Sequence, residues 1–209
     1  MIREDSSWGL RLRKVARCAR FLATGTCAAQ IAEFAVSLPL LAVLVVGIYD
    51  FGNAFNVKHR VASAAREAAR FASDQPTADL SQPTVGTSGS VEAVATLTGN
   101  VMLAEKLSDC GMALASNQSV SHLSGTLIWT FTAQSGCGGI VTLKINRGFI
   151  LQTPASTGAG TPMTVEATQV TLSYPYNWQF NRVIQLLAPG STYAASSLIT
   201  SVAVMQNLN

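Results

Sequence analysis

Charge is scarce in this chain of 209 residues: Asp, Glu, Lys and Arg make up 12% of it, and there are only two histidines. A hydrophobic content of 48% beside so little charge excludes a disordered or acidic solvating polypeptide. No fixed repeat runs through the sequence, which excludes a solenoid or a collagen-like fibre. Catalytic motifs are missing too. There is no Gly-x-Ser-x-Gly elbow, no His-Glu-x-x-His helix and no Walker-type phosphate loop. Beyond position 90 the acidic residues Glu92, Glu105, Asp109 and Glu166 are few and widely spaced, so no carboxylate pair is set up in sequence. These absences point away from an enzyme and call for no cofactor, metal or small-molecule substrate.

What charge there is lies unevenly. The formal net charge is +3. Residues 1–28 hold six basic side chains (Arg3, Arg11, Arg13, Lys14, Arg17, Arg20) against Glu4 and Asp5, a net of +4. The remainder holds 8 basic and 9 acidic groups, a net of −1. A basic run can bind nucleic acid, but this one has few aromatics and abuts an apolar segment, so no nucleic-acid partner is expected. From Phe34 to Tyr49 the chain reads FAVSLPLLAVLVVGIY, without a formal charge. Extended back through Glu33 and Gln30 it reaches the ~20 residues that cross a bilayer. Preceding Arg and Lys are the positive-inside signature, which puts the N-terminus in the cytoplasm and the chain beyond residue 50 on the far side.

Gly52-Asn53-Ala54 offers a signal-peptidase site, with Phe55 as the new first residue. Two features oppose it. Pro39 sits in mid-span, and the helical pattern continues past Ala54. Phe51, Phe55, Val61, Ala62, Ala65, Ala68, Ala69 and Ala72 fall near one face. The residues from 55 to 73 are rich in alanine and contain neither Gly nor Pro. One helix is therefore expected over 29–73, with its membrane part at about 30–50. Residues 74–90, rich in Ser, Thr, Pro and Gly, read as a linker.

The stretch AAQIAEFAVSLPLLAVLVVGIYDFGNAFNVKHRVASAAREAARFAS resembles the TadE-like family of tight-adherence (Flp-type) pilus assembly proteins. Glu33-Phe34, Leu38-Pro39-Leu40, Asp50-Phe51-Gly52 and the run Ala64 to Arg70 carry the likeness, which covers about a fifth of the chain. The resemblance implies a minor pilin or pseudopilin. Such a protein is processed by a prepilin peptidase and works with other pilins and with platform proteins of the inner membrane. A glutamate at the fifth mature position places the cut between Ala28 and Ala29. The family usually has Gly before the cut, where this chain has Ala28, so an uncut inner-membrane scaffold is the competing outcome. Glu33 would pair with a freed amine and register subunits, since a carboxylate in hydrocarbon is costly unless neutral or paired. Asp50 reads as an interfacial anchor. An unrelated membrane-anchored periplasmic binding domain is a further alternative. The Asp-x-Ser-x-Ser motif of metal-dependent adhesion domains is absent.

Residues 91–209 read as an exported domain. Ser90 can cap a second helix reaching Leu107, loosened in the middle by Gly99-Asn100. Leu127 to Thr132 and Ile140 to Ile145 alternate across a Gly-rich turn as an antiparallel hairpin. A third strand covers 163–174 with a bulge near Thr168, and a fourth 197–205. The expected class is α+β and pilin-like: a long N-terminal helix, a short helix and a roughly four-stranded antiparallel sheet. Cys18 and Cys27 lie on the cytoplasmic side. Cys110 and Cys137 are exported, where a disulfide can form and would tie the end of the second helix to the hairpin turn. Zinc is the alternative for that pair, with His122 as its nearest histidine. The aromatic cluster Tyr174, Tyr176, Trp178 and Phe180 is either a partner patch or the closure of a sheet edge.

Overall fold

In the computed structural model, residues 26–76, 89–152, 164–179, 190 and 196–208 are described. The chain divides into two units, Met1–Tyr49 and Asp50–Asn209. Helix α1 runs over Thr26–Ser73, a few residues longer at its start than expected, with Pro39 inside it.

In the first unit the described side chains are exposed or half-exposed. Ile31, Phe34, Val36, Leu38, Leu40, Leu41, Leu44, Val45, Ile48 and Tyr49 all lie open on the helix. A helix satisfies its backbone polar groups within the segment, as hydrocarbon demands, except that Pro39 brings no N–H to the Ala35 carbonyl, a gap that membrane helices tolerate. The helix is long and apolar enough to cross a membrane.

In the second unit the rest of α1 joins α2 (Ser90–Ala104) and five strands: β1 Gln118–His122, β2 Ile128–Ala133, β3 Val141–Gln152, β4 Thr164–Asn177 and β5 Ser196–Gln206. All neighbours pair antiparallel in the order β1-β2-β3-β4-β5. The α+β layout is as expected, with one more strand. That strand, β1, has a single apolar residue, Val120, and so carries no alternation to read. Its polar ends are used inward. Gln118 Nε2 donates to the Met112 carbonyl at 2.7 Å, and the His122 ring stacks on Trp129 at 4.9 Å.

The core lies on one face of the sheet. Trp129 and Phe131 of β2, Val141, Leu143 and Ile145 of β3, and Val170 and Leu172 of β4 bury there. They share a cluster with Val57, Val61, Ala64, Ala65, Ala68, Ala69 and Ala72 of α1 and with Val91, Val94, Ala95 and Met102 of α2. Alanines on the helix leave room for large side chains on the strands, which is how the layers reach native packing density. The other face carries Thr130, Thr132, Thr142 and Thr171, in keeping with an antiparallel sheet open to solvent on one side. Phe51 and Phe55, expected on the apolar stripe, stay 61% exposed, while Val57 and Ala64 take buried places.

Four local expectations are corrected. Ser90 does not cap α2: Gly89 is the N-cap and makes no side-chain hydrogen bond. The helix ends at Ala104 rather than Leu107. Lys106 takes a left-handed φ of 58°, the Lys106 amide donates to Leu103 O and the Leu107 amide to Met102 O, and Leu107 buries beneath. That is a Schellman ending, with lysine where glycine is usual. Gly99 does not loosen α2. It gives room, since a Cβ there would overlap the backbone of Met112 and Ala113. The bulge belongs to β3, because Asn146 faces Gln169 and Phe149 faces Ala167, so Arg147 and Gly148 together oppose Thr168.

That bulge turns Arg147 inward. Its guanidinium donates to the carbonyls of Gln75, at 2.6 Å, and Pro76, at 3.2 Å, just past the end of α1. A cation there complements the negative end of the helix dipole. Thr168 Oγ1 donates to Asn207 Oδ1 at 2.6 Å, and Asn207 Nδ2 donates to the Arg147 carbonyl at 3.4 Å. The polar groups exposed by the bulge are thereby used.

Candidate functional site

Most of the residues singled out in the sequence lie among the described ones. Ala28 and Ala29 lie in the first turn of α1. Glu33 is exposed on the same helix and is the one formal charge between Ile31 and Tyr49. Cys110 and Cys137 form a disulfide, joining the loop after α2 to the β2–β3 turn. Ser108 Oγ lies 3.2 Å from Cys137 Sγ. Among the described residues no three His, Cys, Asp or Glu side chains gather as a metal site, and His122 packs on Trp129 instead.

The aromatic cluster is brought onto α1. Tyr176 is 5% exposed and Asp50 1%. The Tyr176 hydroxyl donates to Asp50 Oδ1 at 2.8 Å and accepts from Asn53 Nδ2 at 3.2 Å. Asp50 is thus no interfacial anchor but a buried carboxylate tied to the end of β4. Nothing in its local sequence foretells this, because its partner lies 126 positions away. Trp178 stands edge-on to Tyr176 at 5.0 Å and to Phe51 at 5.3 Å, and its Nε1 donates to Ser197 Oγ at 2.9 Å. Tyr174 is half-buried, and burial raises its phenol pKa above 10.0, with a backbone hydrogen bond at Ser108 working the other way. Phe180 lies outside the described residues.

These contacts leave a shallow groove of about 180 Å³ lined by Phe51, Ala54, Phe55, Lys58, Trp178 and Ile199. Apart from the Lys58 amine it presents carbon. It can bind apolar matter beside an anion.

The class is therefore an α+β domain carried on a long apolar helix that suits membrane anchoring. A model of the family described as TadE-like protein matches residues 28–70, the stretch that holds Glu33, the apolar run and Asp50. No curated protein and no solved structure matches the chain. The matched segment, about a fifth of the chain, is similar to TadE-like proteins over the long helix alone.

Proposed function

We propose that the protein is a minor pilin or pseudopilin of a tight-adherence (Flp-type) pilus system, helping to initiate or assemble the pilus. Residues 1–28 are a cytoplasmic basic leader, residues 30–50 the inner-membrane span, and residues 91–209 an exported periplasmic domain. The observation that carries the reading is the bare apolar surface of α1 from Ile31 to Tyr49, inside the matched segment, with Glu33 as its one formal charge. Such a surface needs lipid or other helices around it. A prepilin peptidase cuts between Ala28 and Ala29, the freed amine faces a carboxylate on its own or a neighbouring helix, and the pair sets subunit register. Partners are other pilins and the inner-membrane platform, and the subunit can pass from the membrane into an extracellular pilus.

N-terminal sequencing of the membrane-extracted protein tests this. Ala29 as first residue supports the pseudopilin, Met1 supports an uncut scaffold, and Phe55 refutes both. Glu33→Leu should leave the protein in the membrane and stop its co-purification with other pilins. Undiminished assembly of that variant would sink the registration role.

A further inference from the structure

We infer that the groove formed by Phe51, Ala54, Phe55, Trp178 and Ile199 is a lipid seat, lodged in the headgroup layer with Lys58 against lipid phosphate. This deepens the reading above and rests on residues 30–49 being the span. Phe51 and Phe55 come two and six residues after Tyr49, and both are 61% exposed. Two open phenylalanines side by side are unfavourable facing water and belong to an apolar neighbour. The position in the chain says which neighbour. Side chains immediately beyond a span fall in the interfacial layer, where amphipathic aromatics concentrate.

Trp178 suits that layer. Its Nε1–H is already donated to Ser197 Oγ, so the rest of the ring can face hydrocarbon without losing a hydrogen bond. Ile199 adds a branched apolar side chain from β5, so the sheet and the helix both contribute to the seat. Lys58 is exposed at the rim. Helical side chains lean toward the helix N-terminus, so its stem lies along Phe55 and Ala54 while the amine reaches back to the phosphates. A protein helix about 10 Å across would need a longer trough than the two turns of α1 that line this one. Acyl chains and headgroups need no more.

The test uses the full chain with Trp8→Phe, leaving Trp129, fully buried, and Trp178 as emitters. It is reconstituted into phosphatidylglycerol nanodiscs whose lipids carry bromine near the headgroup. The expected result is loss of most Trp178 emission to bromolipid, with little loss to aqueous acrylamide. Lys58→Glu should restore part of the emission, more in anionic discs than in zwitterionic ones, where the phosphate is offset by the headgroup cation. If alkaline carbonate releases the protein from membranes, the span itself is wrong and the seat falls with it. If the protein stays embedded while acrylamide alone quenches Trp178, the seat is overturned and the span stands. Shielding of Trp178 from both quenchers, with a second polypeptide cross-linked at Phe55, would assign the groove to protein and overturn the lipid seat.

Discussion

Replacing Tyr176 by Phe removes one oxygen from a site that is nearly closed to water. The hydroxyl donates to Asp50 Oδ1 at 2.8 Å, and both residues are at most 5% exposed. A hydrogen bond to a charged group contributes about 1.5–3 kcal/mol, and no bulk water takes the vacated place. The weaker contact from Asn53 Nδ2, at 3.2 Å, is lost with it. The expected loss is about 2–3 kcal/mol. For a unit spanning residues 50–209, that lowers Tm by roughly 5–10 °C. The assay is thermal unfolding of the full chain in detergent, followed by near-ultraviolet circular dichroism. Asp50→Asn keeps an acceptor oxygen and should cost less. The double variant should lose less than the two single losses added, with a coupling of about 1 kcal/mol or more. A Tm for Tyr176→Phe within about 1 °C of the parent, or strict additivity, would show that the hydroxyl does not hold β4 to α1.

Three further outcomes follow from the same packing. Gly99→Ala should destabilise by about 1–3 kcal/mol in chemical denaturation, because its methyl would overlap the backbone of Met112 and Ala113. A silent Gly99→Ala would mean that this loop can move away. Replacing both Cys110 and Cys137 by Ser should cost roughly 3–4 kcal/mol in the chain-entropy account, and reduction of the parent should reproduce it. Thiol labelling should find both sulfurs blocked until a reductant is added. Tyr174, with its pKa raised by burial, contributes stability that is complete below pH 10.0 and fades as pH rises through the higher folded value. Tyr174→Phe should flatten that alkaline decline in urea titrations, and an unchanged slope would count against it.

Much of the layout was legible in sequence because it follows local periodicity. Sixteen uncharged residues from Phe34 to Tyr49 can only be helix if they meet lipid. Alternation at Trp129, Phe131, Leu143 and Ile145 announces a half-buried hairpin. The disulfide was open to inference because Cys110 and Cys137 are the two cysteines that follow the apolar run. What escaped was whatever depends on a distant neighbour. β1 is polar because it is an edge, and its pairing with β2 supplies what its own residues do not. The bulge shows as a changed apolar face near Thr168, yet the extra residue lies across the ladder in β3, where Arg147 must turn inward to reach the end of α1. Gly99 reads as a weak point until the loop packed against it is seen.

By itself, the sequence determined the elements and their order, β1 apart: an apolar helix headed by a basic run, a short helix and antiparallel strands. Hydrophobic period and charge asymmetry are properties of neighbouring residues, and neighbours are what a sequence shows. Tertiary structure alone decided the roles of Asp50, Tyr176, Trp178 and Arg147. A buried polar group must find partners wherever the chain happens to return, and for Asp50 that return comes 126 residues later.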